Sequence, residues 1–154
     1  MTLELKSALK LSQSRQTLAI AESCTGGLLT NRLTNISGSS QYLLGAIIAY
    51  SNPVKINFLK VSAQIIKKHG AVSHAACEKM SQNVRRIFKS DLGIGITGIA
   101  GPKGGSASKP VGLVYISLTT PTKTICQKFL FKGSRLQIKK LASDQALKLL
   151  LENL

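Results

Sequence analysis

The stretch that most constrains this chain is the meeting of two short segments near its amino end. The apolar run Thr17-Leu18-Ala19-Ile20 leads into A-E-S-C-T-G-G, Ala21 to Gly27, after which Leu28, Leu29 and Leu33 recur at helical spacing. This pattern predicts a β-strand, a turn built from Ser23, Cys24 and Thr25, and a helix. Ser23 stands at the hinge. Small hydroxyl residues at such a turn cap the first helical N–H groups, and glycines let another molecule approach the main chain. By itself the pattern fits a helix cap better than a nucleophile, because capping is the commoner use of serine there.

With 154 residues, the chain fits one domain that buries about two-thirds of the surface its unfolded form exposes. Hydrophobic residues make up 44% and charged residues 18%, an ordinary globular balance. No apolar run approaches the roughly 20 residues needed to cross a bilayer. The start, M-T-L-E-L-K-S-A-L-K, is amphipathic and unlike a signal peptide, which points to a cytoplasmic protein. Cys24, Cys77 and Cys126 are widely spaced and form no CxxC motif, so neither a disulfide framework nor a metal site is expected. Lys and Arg number 21 against six acids, a formal charge of +15. That charge attracts phosphate-bearing ligands. The basic residues are nevertheless scattered, and Trp is absent, so a basic solvated surface is expected rather than a specific nucleic-acid partner.

The remaining segments read as alternating elements. Helices are expected over Thr2 to Ser14, Thr25 to Ile36, Ser62 to His69, Ser73 to Lys89 and Leu136 to Leu154, with a short one following Pro53, capped by Asn52. Ile87 and Leu141 are assigned to buried helix faces. Strands are expected over Thr17 to Ala21, Leu43 to Tyr50, Leu92 to Thr97, Val111 to Leu118 and Thr124 to Phe131, the last two as a hairpin. Leu43 to Tyr50 is nearly continuous in apolar character, as for a strand covered on both faces. Gly93 and Gly95 mark a strand approached closely by another element. The sum is a single-domain, three-layer α/β/α sandwich with a mixed central sheet.

In such a domain, ligands bind at the carboxyl ends of strands. Four loops qualify: Glu22 to Gly27, Tyr50 to Lys55, Thr97 to Gly105 and Gly133 to Arg135. They offer a hydroxyl, a phenol with an amine, a glycine-rich cradle of N–H groups, and a guanidinium. With only His69 and His74 available, no Ser-His-Asp triad is formed. A serine without histidine can be activated by a desolvated, neutral lysine, and Lys55 is the best placed. From spacing alone, Lys55 reads equally as a solvated helix lysine, Tyr50 as a strand-end aromatic and Arg135 as a surface charge.

Five motifs in order, A-E-S-C-T-G-G, G-S-S (Gly38 to Ser40), A-Y-S-N-P-V-K (Ala49 to Lys55), H-G-A-V-S (His69 to Ser73) and T-G-I-A-G-P-K-G-G-S-A-S-K-P-V-G (Thr97 to Gly112), closely resemble the CinA carboxy-terminal domain family. Its members are known as bacterial nicotinamide mononucleotide deamidases and as competence/damage-inducible proteins. The resemblance covers nearly the whole chain. It implies an amidohydrolase of pyridine nucleotide salvage, using no metal or cofactor, that converts nicotinamide mononucleotide to nicotinate mononucleotide and ammonia. The family's serine falls on Ser23, its tyrosine on Tyr50, its lysine on Lys55 and its arginine on Arg135.

Under that resemblance Ser23 is the nucleophile, Lys55 the base, and Tyr50 relays or orients the proton. Backbone N–H groups around Thr25, Gly26 and Gly27 hold the oxyanion, while Asn52, Thr97, Gly98, Gly101, Gly104, Gly105 and Arg135 bind the substrate. A nucleotide is the expected small-molecule partner and a dimer the expected assembly. The chain departs from the family pattern at Pro53 and Lys103, often acidic, and at Ser134, often aspartate. These departures leave open a catalytically weak nucleotide-binding or DNA-damage-associated role.

Overall fold

Alternate side chains of the first strand, β1 (Leu18–Glu22), have different sizes, and this difference sets the layers. Leu18 and Ile20 point to one face of the sheet, Ala19 and Ala21 to the other. In a computed structural model describing residues 1–154, the other elements are α1 (Leu3–Ser14), α2 (Leu28–Thr34), β2 (Leu43–Ile48), α3 (Asn52–Asn57), α4 (Ala63–His69), α5 (His74–Phe88), β3 (Leu92–Gly98), β4 (Leu113–Thr119), β5 (Thr124–Leu130) and α6 (Arg135–Leu151). The strand order is β2-β1-β3-β4-β5. Strands β1, β2 and β3 are parallel, and β3-β4-β5 continue as an antiparallel meander.

Register places Ala19 beside Gly93 and Ala21 beside Gly95, so that face of the central strands is nearly flat. Helix α5 uses this flatness. A Cβ on Gly95 would lie 2.8 Å from the Cys77 carbonyl oxygen, so a larger residue would push the helix off the sheet. Bulkier Leu18, Ile20, Ile94 and Ile96 fill the opposite face under α1, α2 and α6, forming the larger of two apolar cores. Arg32 ties those three helices together through Glu4 (2.9 Å) and Asp144 (2.7 Å). The result is the expected three-layer α/β/α sandwich. No helix is long and apolar enough to cross a membrane.

Three local expectations are corrected. Strand β2 is an edge strand with Leu44 and Ile48 exposed, because the sheet ends there and only one neighbour covers it. Ile87 and Leu141 lie on exposed flanks of their helices rather than facing the core. Ser51, not Asn52, caps α3, its Oγ accepting from the Val54 N–H (3.4 Å).

The chain leaves β1 through α2 to reach β2 on one side, then returns through α5 to β3 on the other side of β1. The carboxyl end of β1 is therefore the point where the strand order reverses, where a crevice opens between diverging connections. Ser23 follows directly.

Candidate active site

Ser23 is held by its own backbone, whose N–H donates to the Ile96 carbonyl of β3 (3.0 Å). Its hydroxyl does not cap the following helix. That task falls to Glu22, whose fully buried carboxylate accepts from the N–H groups of Gly27 (3.0 Å), Leu29 (3.2 Å) and Thr30 (2.8 Å) and from the Thr30 hydroxyl (2.6 Å). A negative group at the positive end of α2 satisfies the amides that would otherwise be orphaned. Helix α2 thus starts at Leu28 rather than Thr25, after Gly27 in the left-handed region (φ 96°). With capping done from the strand side, the Ser23 hydroxyl is left for another partner.

That partner is Lys55. Ser51 and Pro53 start α3 so that Lys55, two residues past the proline, turns inward; it is only 2% exposed. Its Nζ donates to Ser23 Oγ (2.9 Å) and to the Ala49 carbonyl (2.7 Å). No carboxylate pairs with it, and burial pulls its ammonium pKa below the ordinary 10.5. Once the proton is lost, the same 2.9 Å contact becomes the Ser23 O–H donating to a neutral amine. The adjacent Cys24 is a poor competitor, because burial pushes its thiol up to about 12.

Tyr50 and Arg135 come together at the rim. The guanidinium donates to the Tyr50 hydroxyl (2.7 Å) and to the Gly101 carbonyl (2.7 Å), bridging the loops after β2 and β3. Tyr50 makes no hydrogen bond to Ser23 or Lys55, its hydroxyl accepting from Arg135 instead. Behind this bridge lies a cavity of about 230 Å³ lined by Ser23, Cys24, Tyr50, Arg135 and the segment Gly98 to Gly104 without Pro102.

The backbone donors near Ser23 shift by one or two residues from expectation. The Gly26 N–H is spent on the Ser23 carbonyl (3.0 Å) and the Gly27 N–H on Glu22, because the turn and the helix start need them. The N–H groups of Cys24 and Thr25 donate to no protein acceptor and stand immediately after the hydroxyl. Of the other expected binding residues, Gly98, Gly101 and Gly104 line the cavity. Asn52 is exposed outside it, the Thr97 hydroxyl is buried on the Ala71 carbonyl (2.9 Å), and Gly105 packs against Val111. Sequence reasoning gave no role to Glu22 or to the cavity-lining Lys103. The signal for Glu22 was present: one acid inside an otherwise apolar strand must find several donors once buried.

The CinA C-terminal domain family matches residues 1–154. A CinA-like protein of Pseudothermotoga lettingae is 46% identical over 142 residues, covering 92% of this chain and 35% of the relative. A CinA-like protein of Prochlorococcus marinus is 48% identical over 141 residues, covering 90% and 33%. The chain thus spans about a third of the length of the curated relatives it matches. Among solved structures, a competence-damaged protein (CinA) superfamily protein of Klebsiella pneumoniae superposes with a TM-score of 0.95 at 30% identity, covering 98% of this chain and 94% of that one. One from Escherichia coli superposes at 0.94 and 30% identity, covering 99% and 91%. On sequence and on fold together, the chain belongs to the CinA C-terminal domain family.

Proposed function

We propose that this domain is a serine amidohydrolase that releases ammonia from the carboxamide of a pyridine mononucleotide, nicotinamide mononucleotide being the substrate that the family resemblance implies. The observation that carries the reading is the buried contact between Lys55 Nζ and Ser23 Oγ (2.9 Å) at the wall of a cavity. A serine beside a desolvated amine is an activated nucleophile.

Ser23 Oγ attacks the carboxamide carbon while its proton passes to Lys55 Nζ. The oxyanion is met by the N–H groups of Cys24 and Thr25, each well-aimed donor contributing about 10²- to 10³-fold. The tetrahedral adduct collapses as Lys55 returns the proton to the leaving nitrogen, giving ammonia and a Ser23 ester. Water then attacks the ester, giving a proton to Lys55, which passes it to Ser23 Oγ as the acyl–oxygen bond breaks and the carboxylic acid departs. Arg135 holds Tyr50 and the Gly101 backbone as one wall, and Lys103 faces the cavity with no protein acid to neutralise it. The phosphate is therefore assigned to Lys103 and the glycine loop. The cytoplasm, where Cys24, Cys77 and Cys126 stay as free thiols, is the proposed compartment.

The test is ammonia release by the purified protein from nicotinamide mononucleotide and a panel of carboxamides lacking the phosphate or the ribose. The expected result is turnover of the mononucleotide in preference to free nicotinamide. Binding of the mononucleotide with no ammonia would replace the enzyme reading with that of a nucleotide-binding module.

A further inference from the structure

At the other end of the sheet, about 20 Å from Ser23 along β3 at some 3.3 Å per residue, the last turn of α5 and the β4–β5 turn flank a larger, open cleft of about 710 Å³. None of its twelve lining residues is hydrophobic. Arg85, Arg86 and Lys89 enter from the helix and Lys123 from the hairpin. The only acid there, Asp91, is already engaged: its carboxylate accepts from the Thr17 N–H (2.7 Å) and hydroxyl (2.8 Å). Those hydrogen bonds, with a smaller contribution from the Arg85 charge, hold it below the usual carboxylate range, so it stays ionised and offsets part of the Arg85 charge. Arg85 spends its Nε on the Asp91 carbonyl (2.8 Å), while the side chains of Arg86, Lys89 and Lys123 meet no protein acceptor.

We propose that this cleft is a second anion site, separate from the catalytic cavity, and that it binds chained phosphates. Like charges brought together from two chain segments repel one another unless an anion sits between them, and a concave surface concentrates their field. The negative carboxyl end of α5 offsets part of this, the Lys89 N–H closing only the Arg85 and Arg86 carbonyls. A walled apolar ligand finds nothing to pack against, and a base finds no aromatic face. Charge remains, because the hydroxyls of the threonine-rich hairpin turn already pair with one another, with Ser81 and with the Lys123 carbonyl. Cations on both the helix side and the hairpin side of the cleft favour a chain of phosphates over a single one.

The experiment is calorimetric titration of the intact protein with sodium triphosphate and with orthophosphate at 0.15 M salt. Triphosphate is expected to bind at least about tenfold more tightly. Arg86→Gln with Lys123→Gln should weaken triphosphate about tenfold, whereas Lys67→Gln with Lys68→Gln on the exposed α4, removing equal charge, should change it less than about twofold. Lys103→Gln, in the cavity near Ser23, should leave triphosphate binding unchanged, which separates this site from the phosphate position of the proposed function. Equal weakening by both double variants would mean adhesion through net charge alone and would overturn the site, as would triphosphate binding no tighter than orthophosphate. Lys123→Gln alone, on the surface turn, serves if the double variant does not fold, with a loss of about threefold expected and no loss overturning the proposal. Competition with a short single-stranded oligonucleotide distinguishes the source: displacement assigns a nucleic-acid backbone, its absence a free oligophosphate, and either supports a chained-phosphate site.

Discussion

The inner and outer halves of the candidate site are built on different terms. Ser23 and Lys55 are 7% and 2% exposed and locked by backbone contacts to Ile96 and Ala49, whereas Tyr50, at 59%, is held by one guanidinium that also spans to Gly101. Burial is costly for an amine and lowers its pKa below 10.5, the direction in which a lysine becomes available as a base. The exposed rim bears no such cost. On the proposed reading, the inner pair makes and breaks bonds and the outer one recognises the substrate.

This division is broken most readily from the inside. Ser23→Ala should abolish ammonia release, lowering kcat by on the order of a thousandfold or more with binding retained. Lys55→Met should cost about 10²- to 10⁴-fold in kcat. In the wild type, activity should rise with pH as Lys55 loses its proton, the limb lying below 10.5, and the methionine variant should lack that limb. The same group affects stability. Between its folded value and 10.5 the unfolded chain binds more protons at this position, so stability climbs with pH across that window, a slope that urea titrations should find flattened in Lys55→Met.

Glu22→Ala strips four donors of their buried acceptor and should lower unfolding free energy by about 3 kcal/mol in urea melts. It should also reduce activity, through a displaced Ser23 turn. The smallest effect is expected at the rim: Arg135→Ala should raise KM about tenfold, worth about 1.4 kcal/mol, with kcat changed less. A larger kcat than KM effect there would move Arg135 into the chemistry.

The fold was legible because its layers are written in side-chain size and period. Leu18 and Ile20 against Ala19 and Ala21, and the glycines of β3, mark which face takes which helix. The edge position of β2 was not legible, since an apolar run carries no information about how many neighbours a strand has. At the site, the turn and its position were readable, but its division of labour was not. Whether Ser23 caps a helix or stands free depends on Glu22, which reaches from the strand to do the capping, a tertiary fact that local preference cannot contain. Likewise, spacing placed Lys55 near Tyr50 in the chain, yet the buried contact joins Lys55 to Ser23 and leaves Tyr50 to a residue 85 positions away.

The most direct measurement compares ammonia release from nicotinamide mononucleotide by the wild type, Ser23→Ala and Cys24→Ala under the same conditions. The two residues are adjacent and both line the cavity, but only the serine has the amine at its hydroxyl, while the thiol is held in its protonated form. The account predicts near-normal release from Cys24→Ala and none from Ser23→Ala. Retained release in Ser23→Ala, with loss in Cys24→Ala, would contradict it.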